Sequence, residues 1–135
     1  MISDGAMLLI PSRARPHNLR RLIEACQNTG TSTPAWIRLD EDDVCVPQYR
    51  ELPMLEGWRI VVGPRVPLSS VYNEAYKSLT GTTHWAFIAD DVVPLTFGWD
   101  TKLIEAAGSD GMAVPAGGET TGGCPHFVIG GDLVR

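Results

Sequence analysis

The chain has 135 residues, the size of one domain. With 44% hydrophobic and 20% charged residues it can bury a core, which excludes a disordered segment and a miniprotein held by disulfides or metal. Eleven basic against sixteen acidic residues leave a formal charge of −5, which excludes a general nucleic-acid binder that works by neutralising many phosphates.

Met7-Leu8-Leu9-Ile10 is a short apolar run stopped by Pro11, the pattern of a buried strand in a parallel sheet. Pro16 stands where a first helical residue would, Leu19, Leu22, Ile23 and Cys26 recur at helical spacing, and Gly30 is a terminator, so a helix follows an Arg-rich loop. Trp36 to Leu39 reads as a second strand, leading into Asp40-Glu41-Asp42-Asp43 and a Pro-containing connection through Pro47 and Pro53. A third strand, Trp58 to Val62, closes at Gly63-Pro64. Leu68, Val71, Tyr72, Ala75 and Leu79 then trace one helical face, with Ser69 or Ser70 as candidate cap and Gly81 as candidate end.

Trp85 to Ala89 is a fourth apolar run that delivers Asp90-Asp91 at its carboxyl end. Asp100 is a candidate cap for a helix over Leu103, Ile104 and Ala107, closed by Gly108. Met112 to Val114 and His126 to Ile129, on either side of a Gly-rich stretch, are two further apolar pieces. The four Trp residues each lie in or beside a predicted element, which suits core packing better than sugar stacking.

Alternation of strands and helices predicts an α/β three-layer sandwich on a largely parallel, Rossmann-like sheet, which collects ligands at the carboxyl ends of its strands. Ser12, Arg13, Arg15, Asp40, Arg65, Asp90 and Asp91 all fall at such ends. Adjacent carboxylates past a buried strand need cations, donors or solvent. A hard cation such as Mg²⁺ or Mn²⁺ is one partner; the competing reading makes them turn residues before Pro94. Nine of the eleven cations are Arg, which suits bidentate recognition of phosphate. Arg13 and Arg15 are the phosphate candidates, while Arg20 and Arg21 read as the solvated face of the first helix.

Familiar phosphate motifs are missing: there is no Gly-x-x-x-x-Gly-Lys-Ser/Thr and no Gly-x-Gly-x-x-Gly after the first strand. No Gly-x-Ser-x-Gly elbow exists either. His126 lies beside the Gly-rich stretch, within possible reach of Asp91 or simply packed, and Asp132 is a candidate general base. No apolar run reaches the roughly 18 residues of a membrane span, and the first residues lack the order of a signal peptide. Cys26, Cys45 and Cys124 form no Cys-x-x-Cys pair. A cytoplasmic protein with reduced thiols is the expectation.

Taken in order, Met7 to Pro16, Asp40, Leu68 to Tyr76 with Asn73, and Phe87-Ile88-Ala89-Asp90-Asp91-Val92 resemble the donor half of a GT-A type nucleotide-sugar glycosyltransferase, of the large inverting family typified by bacterial and phage enzymes. The likeness runs from residue 7 to about 132 and rests on collinearity, each motif being short. It implies a nucleoside-diphosphate sugar as donor, an unidentified acceptor hydroxyl, and Mn²⁺ or Mg²⁺ as cofactor. Carried onto this chain, the resemblance gives donor nucleotide and phosphate contacts to Pro11, Ser12, Arg13, Arg15, Asp40, Arg65, Asn73 and Asp90. Asp91, with His126, takes the metal, and Asp132 the catalytic base.

Ala89 stands where the first Asp of the Asp-x-Asp metal signature would be, so the metal falls to Asp91 with Asp90 second. A single domain over 1–135 is expected, with a donor part over about 7–95 and an incomplete acceptor-side part over about 96–135, alone or completed by a partner chain or second copy. Two other readings stand beside the transferase: a non-catalytic or truncated nucleotide-sugar-binding module, and a nucleotidyltransferase, which would ordinarily carry Gly in the loop after strand one.

Overall fold

The computed structural model describes residues 5–113 and 127–130. Its strands are β1 (Ala6–Ser12), β2 (Ala35–Asp40), β3 (Trp58–Gly63), β4 (His84–Phe87), β5 (Met112–Ala113) and β6 (Phe127–Gly130). They form one sheet in the order β3-β2-β1-β4-β6-β5. The four strands β1 to β4 run parallel, and β6 pairs antiparallel with both β4 and β5. This is the largely parallel α/β architecture that the alternation predicts.

The helices are α1 (Pro16–Asn28), α2 (Val46–Arg50), α3 (Leu68–Ser78) and α4 (Trp99–Ala107), and side-chain alternation along the strands sorts them into layers. Leu8 and Ile10 of β1 and Ala35, Ile37 and Leu39 of β2 pack with Leu19, Leu22 and Ile23 of α1, Tyr49 of α2 and Ile104 of α4. The opposite face carries Leu9, Trp36 and Trp85, which pack with Val71, Ala75 and Leu79 of α3. Three of the four Trp side chains are buried in this core.

α1 begins at Pro16 and its chain turns at Gly30 with φ +65°, as the pattern predicts. Elsewhere the structure corrects the sequence expectations. The connection after β2 contains α2, whose short length hid it from periodicity, although Pro47 sits in its first turn. α3 is capped by the backbone of Pro67, and neither Ser69 nor Ser70 caps it. β4 ends at Phe87 rather than Ala89, with one further ladder bond from Ile88 N–H to Leu9 O.

Asp100 lies in the first turn of α4, behind a Gly98 cap, and its carboxylate turns away from its own helix. Oδ2 accepts the N–H groups of Ser32 (3.1 Å) and Thr33 (3.0 Å) and the Thr33 hydroxyl (2.6 Å). Gly98 N–H to Thr29 O and Trp99 Nε1 to Thr31 Oγ1, both 2.8 Å, join the same two segments. The Phe97 ring covers Gly30 so closely that a Cβ there would lie 2.5 Å from it. The start of α4 is thus stapled to the turn between α1 and β2. Among the described residues no helix is long and apolar enough to cross a membrane.

Candidate functional site

The carboxyl ends of β1, β2 and β4 meet in one polar network. β1 ends in Ser12, which alternation puts on the same face as Ile10, toward α2. There its hydroxyl donates to Asp90 Oδ2 at 2.6 Å and lies 2.7 Å from the Tyr49 hydroxyl. Asp90, 1% exposed, also receives the Arg15 guanidinium, whose Nη2 lies 3.3 Å from Oδ1. Arg15 N–H donates to Tyr49 Oη at 2.9 Å.

The loop between β1 and α1 is pinned residue by residue to the segment after β2. Arg13 Nη1 donates to Asp40 Oδ2 (2.9 Å) and to Asp42 Oδ1 (2.6 Å). The Arg13 bond holds the exposed Asp42 carboxyl below the usual carboxylate range and raises the already high pKa of Arg13. Ala14 N–H donates to Asp43 Oδ2 at 2.7 Å, and Asp43 Oδ1 in turn accepts Cys45 N–H as α2 begins. Ala14 has φ +54°, a left-handed conformation that costs a residue with a Cβ of order 1 kcal/mol. The Asp43 bond and those on either side hold it there.

Beneath Asp40 lies Arg38, a residue with no role in the sequence expectations. Two positions before Asp40, it projects from the α3 face of β2 and is 2% exposed. A buried guanidinium needs every donor used. Nη1 donates to Leu39 O and Gly63 O, Nη2 to Pro64 O and Glu74 Oε2, and Nε to Glu74 Oε1. Nη1 also stands 3.6 Å from Asp40 Oδ1. Arg38 so binds the end of β2, the start of the β3–α3 connection and α3 together. A Cβ on Gly63 would lie 2.7 Å from Arg38 Nη2, so a larger residue there would displace the guanidinium from its partners.

Of the residues singled out in the sequence, Ser12 and Arg15 each contact Asp90, and Arg13 contacts Asp40. Asp91 is exposed next to it, with no hydrogen-bond or ion-pair partner among the described residues. Arg65 is exposed beyond β3, near enough for its charge to help lower Asp42. Pro11 is half-buried in β1, and Asn73 is exposed on α3 beside Glu74. His126 and Asp132 lie outside the described residues. Tyr49, Arg38 and Glu74, with Asp42 and Asp43, are network members to which the sequence expectations gave no role. The arginine inside an apolar strand, Trp36-Ile37-Arg38-Leu39, was the available signal for Arg38.

The described residues contain no group of three His, Cys, Asp or Glu able to hold a metal by themselves. At the other end of the sheet, a hollow of about 210 Å³ lies between the start of β1, Pro34 and residues 79–82. Its lining has no titratable side chain, and it lies at the amino ends of the strands, away from the charged network.

No family model matches the sequence, and no curated protein matches it. Solved structures share the fold. A candidate nucleotide-diphospho-sugar transferase from Desulfovibrio desulfuricans G20 superposes with a TM-score of 0.67 at 12% identity, over 96% of this chain and 65% of that one. The chain therefore spans about two-thirds of that protein's length. The Rv0371c protein of Mycobacterium tuberculosis H37Rv, solved in complex with manganese, gives 0.61 at 13% identity, over 98% of this chain and 76% of the other. A second structure of Rv0371c gives 0.56 at 13% identity, over 100% and 78%. At these identities the likeness shows the α/β fold.

Proposed function

We propose that this chain is the donor-binding domain of a glycosyltransferase that moves a sugar from a nucleoside diphosphate to an acceptor hydroxyl. The observation that carries the reading is the joining of arginines and carboxylates from three parallel strand ends into one network, at the edge where this architecture receives nucleotides. The fold it shares with a candidate nucleotide-diphospho-sugar transferase agrees with it. In this reading Asp40 contacts the nucleoside, with Pro11 and Asn73 beside it. Arg13, Arg15 and Arg65 take the diphosphate. The donor part covers about 7–95 and the acceptor side about 96–135.

The network's charge bears on the cofactor. Arg13 and Arg38 share Asp40 and pair further with Asp42 and Glu74, Arg15 pairs separately with Asp90, and Asp43 accepts only backbone amides, so five carboxylates stand among three guanidiniums. A nucleoside diphosphate is also an anion, and a divalent cation removes the repulsion. The residues fit a hard cation that shares its shell with the ligand: Asp91 is exposed, Asp90 adjoins it, and such ions keep waters and take only one or two protein carboxylates. Bound Mn²⁺ or Mg²⁺ would stabilise the departing nucleoside diphosphate. Asp91 would hold it, with Asp90 second once Arg15 has turned from it toward the phosphates, and His126 as a further ligand. Arg13 and Arg15 would hold the phosphates, and Asp132 would take the proton of the acceptor hydroxyl in an inverting displacement.

The test is calorimetric titration of the purified chain with UDP and with GDP, each with Mn²⁺ and with excess chelator. Metal-dependent binding of one nucleotide at micromolar strength is expected, and Mn²⁺ alone should bind much more weakly. Failure of both nucleotides to bind overturns the reading.

A further inference from the structure

The contacts around Asp90 close into a ring. Arg15 N–H donates to the Tyr49 oxygen, the Tyr49 hydroxyl lies 2.7 Å from Ser12 Oγ, Ser12 donates to Asp90 Oδ2, and Asp90 Oδ1 meets the guanidinium of the same Arg15. The direction of each hydrogen follows from the inventory of donors. An ionised carboxylate only accepts, so the single Ser12 proton points at Asp90. The Ser12 oxygen must then accept from Tyr49, whose own oxygen is left to accept from Arg15 N–H. Every donor in the ring has one acceptor.

The ring joins the end of β1, the β1–α1 loop, α2 and the segment after β4, and its two buried anchors differ in freedom from its outer member. Tyr49 is fully buried and Asp90 is 1% exposed, whereas the Arg15 side chain is 52% exposed. An anionic ligand can draw the Arg15 guanidinium outward. Of its protein partners Asp90 would then keep only Ser12, and Ser12 is aimed by Tyr49.

We infer that Tyr49 is a positioning residue of this site: through Ser12 and through the Arg15 amide it fixes where Asp90 and Arg15 present their charges. The inference rests on the donor-site reading above. It goes beyond it in assigning a role to a buried phenol that touches no ligand. The bond that Tyr49 aims, from Ser12 to Asp90, is one to a charged group, and such bonds contribute roughly 1.5–3 kcal/mol, or about ten- to hundredfold in an equilibrium.

The experiment compares wild type, Tyr49→Phe, Ser12→Ala and the double variant, by Mn²⁺-dependent titration with UDP and GDP and by amide hydrogen exchange. In Tyr49→Phe the Arg15 amide should exchange about tenfold faster or more, while the Leu8 and Ile10 amides of β1 stay protected. Affinity for the metal–nucleotide pair should fall about tenfold in each single variant, and the double variant should be little worse than either. A purely structural Tyr49 would lower the unfolding midpoint and leave the folded chain's affinity unchanged, and that result overturns the inference. Unchanged Arg15 exchange, or additive losses in the double variant, overturns it too. Should Tyr49→Phe not fold, Ser12→Ala interrogates the same ring, and wild-type affinity in that variant is the overturning result. Wild type that binds neither nucleotide takes down the donor reading and this inference together; wild type that binds while Tyr49→Phe binds equally well takes down this inference alone.

Discussion

Asp90 and Asp100 are both 1% exposed, and their partners separate them. Asp100 Oδ2 accepts two backbone amides and a buried threonine hydroxyl, and Oδ1 has no hydrogen-bond partner among the described residues. Those donors belong to the turn before β2 and cannot leave without unfolding it. Asp90 accepts one serine hydroxyl and an arginine whose side chain is half in solvent. A buried carboxylate held by main chain is a structural staple. One held by an exposed cation has a partner that a ligand can take.

The largest effect should come from the staple. Asp100→Ala leaves three donors at the α1–β2 turn without an acceptor, and at about 1–3 kcal/mol for each buried unpaired group it should lower stability by about 3 kcal/mol or more in chemical denaturation. An unfolding midpoint near wild type would show that the staple is dispensable. Asp90→Asn keeps the shape and an oxygen for Ser12, and the Arg15 it releases can turn to water. Its stability loss should be only about 1 kcal/mol, while metal-dependent nucleotide affinity drops about tenfold or more. Should Asp90→Asn unfold the chain as readily as Asp100→Ala, the contrast between the two aspartates fails.

The Cys26 thiol extends the comparison, because burial, with a smaller contribution from the Asp100 charge, pushes it up to about 11. The folded state therefore favours the neutral thiol. This contribution to stability is intact below about pH 9, the ordinary value, and is lost as pH rises toward about 11. Thiol reagents at pH 8 should modify Cys26 far more slowly in native than in unfolded protein, and Asp100→Asn should bring its titration slightly down. Rapid native labelling of Cys26 would contradict its burial.

The smallest effect belongs to Asp42, which shares Arg13 with Asp40 at the surface. Its depressed carboxyl pKa means that the pair is intact above the ordinary carboxylate range and is lost as pH falls below it. Asp42→Asn should leave the melting temperature at neutral pH unchanged within error. A clear drop would mean that the exposed pair holds the β1–α1 loop by itself.

The sheet was legible because its strands are apolar runs bounded by Pro, Gly and Asp, and α1 because Pro16 and Gly30 bracket a helical stripe. The polar strand ends were legible for the same reason: a parallel sheet puts whatever follows each apolar run at one edge. α2 was not legible, since five residues show no periodicity, and with it Tyr49 escaped notice. Asp100 illustrates the opposite case. Its position next to a helix start suggests a cap, but its bonds are to residues 32 and 33, and no local pattern reports a partner almost seventy positions away.

What the sequence determined by itself is the alternation of buried strands and amphipathic helices, and which residue types arrive at the strand ends, because periodicity and chain punctuation are local properties. Which of those residues bind one another was decided only in the folded chain. Arg38 is buried and fully paired because α3 and the β3–α3 connection close over it. Ser12 faces Asp90 because β1 and β4 are neighbours in space. Such pairings depend on distances between segments far apart in sequence, and these are set when the two cores pack on either side of the sheet.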